Sequence, residues 1–91
     1  MKFSDQFIQD NRTVIDAAVD MAVAGNAPLC EDATQEALEY RLLGMGALPS
    51  SEHPDCWQRP EDDRLFVVRG ERAFYVSGKR ILEMQKSKRA K

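Results

Sequence analysis

Chemistry in this chain would have to begin with Cys30, His53 and Cys56, which carry its two thiols and its one imidazole. The run His53-Pro54-Asp55-Cys56 has a ligand-like local spacing, and thiolate with imidazole is the donor set that suits zinc. Zinc, however, takes four protein ligands, or three and an open position. Cys30 is the one plausible third donor, and no Cys-x-x-Cys pair occurs. No metal and no cofactor is therefore expected. Read as a nucleophile and its base, Cys56 and His53 would need a hydrogen bond between them and a third group to orient the imidazole, and adjacent Asp55 is poorly placed for that. Glu61-Asp62-Asp63 offers paired carboxylates, but a consecutive run in a loop is usually solvated, and beside an apolar strand it discourages edge aggregation. Ser77-Gly78-Lys79-Arg80 matches only the end of a phosphate-binding loop, without the earlier glycines. The expectation is a protein that is not an enzyme.

Charge suggests binding instead. Residues 1–63 carry four basic and thirteen acidic side chains, or −9; residues 64–91 carry nine basic and two acidic, or +7; together they make the net −2. Such a split either stabilises the fold by attraction between its halves or leaves two surfaces of opposite sign. Asp16, Asp20, Glu36 and Glu39 are the candidate acidic surface for a basic protein groove. Arg64, Arg69, Arg72, Lys79, Arg80, Lys86, Lys88 and Arg89 form the rival, a basic strip able to contact phosphates without reading sequence. Arg69 and Arg72 should face one another across a turn, where an anion between them would relieve their repulsion.

The elements that must position these groups are readable from periodicity. Ser4 caps a helix over residues 5–24, with Phe3 and Ile8 spaced as a hydrophobic staple and an apolar stripe interrupted only around Asn11. Gly25-Asn26 and Pro28 stop it. A second helix over 33–44, capped by Asp32 with Gln35 three residues on, ends at Gly44 and Gly46. The short connection predicts an antiparallel helical hairpin. Residues 47–63, with Pro49, Pro54 and Pro60, read as a long loop holding Trp57, whose indole must pack on the core or serve a partner. Arg64–Arg69 and Arg72–Ser77 are β-type runs around Gly70-Glu71, a two-stranded antiparallel hairpin. Leu65, Val67, Phe74 and Val76 share one face of it, and Phe66, Val68, Ala73 and Tyr75 the other. Both faces are apolar, so each needs cover, and pairing with a second copy of the chain is one way to supply it. Residues 79–91 read as a short helix running into a basic tail.

Ninety-one residues, 43% hydrophobic and 31% charged, make one α+β domain, with no run of the roughly 18 apolar residues that a membrane span needs. The N-terminus lacks the pattern of a secretion signal, so a cytoplasmic location with reduced thiols is expected. Small size, absent chemistry and opposed charge resemble in kind, not by descent, the accessory proteins of phages and mobile elements that dock on a host machine. The expected function is that of an inhibitor or adaptor on a larger protein or nucleoprotein assembly, using Trp57, Phe66, Tyr75 and the acidic residues. Nucleic-acid binding through the basic strip is the alternative.

Overall fold

A computed structural model describes residues 3–25, 30–59 and 62–89. Among the described residues it is an α+β fold in which four helices cover the two faces of one antiparallel sheet. The helices are α1 (Asp5–Asp10), α2 (Arg12–Ala24), α3 (Gln35–Gly44) and α4 (Gly78–Arg89). The strands are β1 (Cys30–Glu31), β2 (Leu48–Pro49), β3 (Cys56–Gln58), β4 (Arg64–Arg69) and β5 (Arg72–Ser77). In space the strands run β1-β5-β4-β3-β2.

The hairpin forms as its sequence predicts. Leu65 pairs with Val76, Val67 with Phe74 and Arg69 with Arg72, and Gly70 takes φ 66°, a left-handed conformation that glycine adopts without steric cost. Its two faces are each covered, and the alternation of side chains decides by what. Leu65, Val67, Phe74 and Val76, with Cys56, pack against Phe3, Ile8, Val14, Ile15, Ala18, Val19 and Ile81 from the N-terminus, α1, α2 and α4. Phe66, Val68 and Ala73, with Trp57, pack against Leu38, Leu42 and Ala47 from α3 and the turn after it.

That division corrects the helical hairpin. α2 and α3 lie on opposite faces of the sheet, because each apolar face needs a helix and one hairpin of helices can cover only one. It also corrects the loop at 47–63. Its residues supply β2 and β3, with Leu48 opposite Gln58, Pro49 opposite Trp57, Trp57 opposite Phe66 and Cys56 opposite Val67. Proline on the outermost strand costs no ladder bond, since that side has no neighbouring strand to receive an N–H. β3 also takes the side of β4 that pairing with a second copy would have needed.

The first helix is two. Asn11 has φ −113° and ψ 14°, outside helical values, and ends α1 while starting α2. Its buried amide donates to the Phe7 carbonyl (2.8 Å) and accepts from the Gln85 side chain, so α1, α2 and α4 meet at one satisfied polar group. Ser4 caps α1 as predicted, its Oγ accepting from Phe7 N–H at 3.1 Å. Thr34, not Asp32, caps α3: Thr34 Oγ1 accepts from Ala37 N–H at 3.1 Å, while Asp32 takes Ala33 N–H and the Arg41 guanidinium. Gly46, at φ 86°, turns the chain after α3. The stop assigned to Asn26 and Pro28 lies outside the described residues, as do Pro60, Glu61 and the last two residues of the tail.

Candidate functional site

The split between an acidic and a basic half resolves in part into ion pairs within the molecule. Arg69 on β4 donates to Asp16 of α2 (3.0 Å) and to Asp55 (3.4 Å), and Arg12 at the start of α2 donates to the same two carboxylates, reaching Asp55 at 2.5 Å. Two arginines and two aspartates thus form a closed ring that ties α2 to the turn before β3 and to the end of β4. Arg72 approaches Glu31 (3.8 Å) and Arg64 approaches Asp62 (3.9 Å), each again joining the two halves of the chain. Arg69 and Arg72 face one another in register as expected, but carboxylates of the chain itself supply the anions.

The ring sets the local titration. Burial alone would raise Asp55, but the Arg12 hydrogen bond and charge, with Arg69 behind them, outweigh it and hold the carboxyl below its usual range. The Ala33 N–H and then Arg41 lower Asp32, and the Arg59 hydrogen bond lowers Asp62. These carboxyls bind protons less readily folded than unfolded, so their stabilisation is complete above the ordinary carboxylate range of about 4 and is lost as pH falls through it. Urea midpoints should therefore drop steeply between about pH 4 and pH 2. Asp55→Asn should cost about 1–2 kcal/mol at pH 7, since its charged bonds are one-third exposed, and should flatten that acid limb.

Cys56 lies under the ring. Arg12 Nη1 donates to its sulfur at 3.1 Å, and the thiol faces Asp55 at 3.7 Å. Burial first, and Asp55 second, push the thiol up to about 11, with Arg12 opposing. Its partners are Arg12 and Asp55; the buried His53 Nε2 has no hydrogen-bond partner among the described residues, so Cys56 and His53 are not the bonded pair that nucleophilic catalysis requires. In a Cys30→Ser variant, Cys56 should react with a thiol-specific disulfide reagent about 100-fold or more slowly than the same chain in urea, because burial shields the sulfur and suppresses the thiolate. The Cys30 side chain itself lies outside the described residues. Among those described, no three His, Cys, Asp or Glu side chains cluster to hold a metal.

The expected binding residues scatter. Trp57 is 5% exposed and Phe66 1%, both core residues on the α3 face, so a partner cannot reach them in this fold. Asp16 is committed to the ring. Asp20 is exposed on α2, whereas Glu36 and Glu39 belong to α3 across the sheet, so no single acidic surface joins them. Tyr75 alone of that set is an exposed apolar side chain, at 46%. From the basic strip, Lys79, Arg80 and Lys86 are exposed on α4 without an ion pair among the described residues; Lys88 and Arg89 belong to α4, but their side chains lie outside the described set.

What the structure does assemble is a groove of about 330 Å³ between α2, β5 and the first turn of α4. Ala18, Met21, Tyr75 and Val76 form its apolar part, and Ser77 and Arg80 its polar end. Met21 is 57% exposed, so the core does not use it up, while Tyr75, opposite Phe66 in register, turns its side chain to the α3 face of the sheet. The Arg64 guanidinium stacks on the Tyr75 ring, 5.1 Å from its centroid. Ser77 Oγ caps α4 by accepting from Arg80 N–H at 3.1 Å, which fixes the turn that carries Lys79 and Arg80. A smaller depression, about 260 Å³, lies farther along the same two elements, lined by Val23, Arg69, Glu71, Arg72 and Phe74.

Sequence periodicity missed the groove because Met21 falls within the apolar run of α2 and reads as core. The signal was present: Val14, Ile15, Ala18, Val19 and Ala22 complete the buried stripe, leaving Met21 off its edge.

Compared with known proteins, the chain matches no family model, no curated protein and no solved structure. Among the described residues, no helix is long and apolar enough to cross a membrane.

Proposed function

We propose that this protein works by binding, as a small inhibitor or adaptor that docks on a larger protein or nucleoprotein assembly, and that it is not an enzyme. The observation that carries this reading is the α2–β5–α4 groove, where Met21 is more than half exposed and Arg80, at the polar end, has no ion pair among the described residues. Exposed apolar side chains next to a concave surface are the usual mark of a protein interface. The surrounding chemistry points the same way, since its most perturbed thiol is buried and held by an ion-pair ring.

Nucleic-acid binding keeps one observation in its favour. Lys79, Arg80 and Lys86 share α4 with Lys88 and Arg89, and phosphate contacts need only such a row. Capture from a cell lysate, with and without nuclease, separates the two. A stoichiometric protein retained after nuclease and at moderate salt, and lost with Met21→Glu, supports the protein interface. Capture that disappears with nuclease, is insensitive to Met21→Glu and falls steeply with the logarithm of salt supports phosphate contact. Met21→Glu should leave the thermal midpoint within a few degrees of the parent, because that side chain already faces water.

A further inference from the structure

Away from the groove, α3 is apolar on its outer side as well as its inner one. Leu38 and Leu42 face the sheet, while Tyr40 and Leu43 stand in water, and Tyr40, at 72%, is the most exposed large apolar side chain among the described residues. Glu36 lies one turn before Tyr40 and Glu39 one turn before Leu43, so both acids flank this ridge. Neither has an ion pair among the described residues, whereas Arg41, the cation of the same helix, is held by Asp32 at 3.0 Å.

The opposite face of the sheet carries the counterpart. Ile81 anchors α4 in the core there, and Lys79, Leu82 and Lys86 form a stripe at helical spacing on its solvent side. Leu82 is exposed between the two lysines; Arg80 adds a third exposed cation, and Glu83 offsets one of the three. The neighbouring helix offers no such surface. Thr13, Ala17, Asp20 and Ala24 line the outward stripe of α2, which carries an acid and no cation. We infer that the two surfaces meet between copies of the chain, the acidic apolar ridge of α3 on one molecule seating against the basic stripe of α4 on the next. Charge complementarity selects α4 over α2, and Tyr40, Leu43 and Leu82 supply the apolar contact.

The contact is heterologous, because α3 and α4 lie on opposite faces of the sheet. Each copy that joins leaves one α3 and one α4 open, so association continues past the dimer unless rotation closes a ring. A two-fold dimer would need both surfaces on one side of the molecule. The helices have ten and twelve residues and are about 15 Å and 18 Å long, so their contact falls short of the roughly 1,200 Å² of a standard interface. Association of this kind is weak and belongs to high protein concentration and low salt. It is separate from the binding function proposed above, since it uses neither the groove nor a foreign partner.

Sedimentation equilibrium of the full chain tests it. The average mass should rise with concentration up to about 1 mM in low salt, and the association constant should fall about tenfold or more in roughly 0.5 M sodium chloride. Two variants each disable one surface: Tyr40→Gln with Leu43→Gln on α3, and Lys79→Glu with Lys86→Glu on α4. All four side chains are exposed, so circular dichroism and the thermal midpoint should stay near those of the parent; if the α3 pair unfolds, Tyr40→Gln alone takes its place. Each variant by itself should be monomeric. Mixed in equal amounts they should form a dimer and nothing larger, because the intact α3 of the second meets the intact α4 of the first and the two remaining surfaces are disabled. A parent mass that does not change with concentration overturns the inference, as does a variant that associates like the parent. A mixture that stays monomeric, or that grows past the dimer, puts the contact elsewhere and overturns it too.

Discussion

Trp57→Ala should lower the free energy of unfolding by about 3–5 kcal/mol, the usual cost of removing a fully packed tryptophan side chain from a core. A domain holds about 5–15 kcal/mol in total, so the variant should be close to the limit of folding at 37 °C, with a thermal midpoint lower by roughly 15 °C or more. The physical cause is the position of the indole. It lies opposite Phe66 in the sheet and packs with Leu38, Leu42, Ala47 and Val68 under α3, where its removal leaves a cavity that the sheet cannot close by moving. The indole N–H is buried without a partner among the described residues, so Trp57→Phe removes an unsatisfied donor along with part of the ring. That variant should cost no more than about 1.5 kcal/mol. Urea unfolding followed by far-ultraviolet circular dichroism measures both, since tryptophan fluorescence disappears with the residue. An interface tryptophan would behave in the opposite way: alanine would abolish partner binding and leave the urea midpoint in place. An unchanged midpoint for Trp57→Ala would remove Trp57 from the core.

The second large effect tests where the helices sit. Leu42→Ala should cost about 2–5 kcal/mol and Ile15→Val about 0.5–1.5 kcal/mol, each from a fully buried position. The double variant should equal the sum within about 0.5 kcal/mol, because the two side chains contact opposite faces of the sheet and share no neighbour. Were α2 and α3 an antiparallel helical hairpin, the same two positions would meet in one core and couple by about 0.5–3 kcal/mol. The equilibrium double-mutant cycle therefore separates two arrangements that have nearly the same helices. A coupling above about 1 kcal/mol would favour the hairpin.

The ion-pair ring of Arg12, Asp16, Asp55 and Arg69 ties separate parts of the fold together. Its members come from three separate elements, and each arginine is shared between both aspartates. The sequence expectation put Asp16 on one docking surface and Arg69 on the rival one; folding brings them to 3.0 Å of each other. The opposed charge of the two halves is thus in part the trace of pairs made within the fold, by Arg64, Arg69 and Arg72. What remains unpaired among the described residues of α4, Lys79, Arg80 and Lys86, is the part of that charge available to another molecule.

By itself, the sequence determined what local physics controls. Ser4 caps a helix because its hydroxyl reaches the N–H three residues on, and β4 and β5 pair in the register that the tight turn at left-handed Gly70 sets. Even the break at Asn11 was visible as a flaw in the 3.6-residue period. Only the tertiary structure decided how the two apolar faces of the hairpin were shared out. Strands of two and three residues, such as β2 and β3, are too short for any period to show, and they exist because β4 offers them a ladder. The connection from α2 to α3 reads as a tight loop between neighbours, yet it carries the chain by way of β1 at the sheet edge to the other face. The groove follows from the same cause. Met21, Val76 and Arg80 are far apart in the chain, and they become one surface only because α2 and α4 lie on the same side of β5.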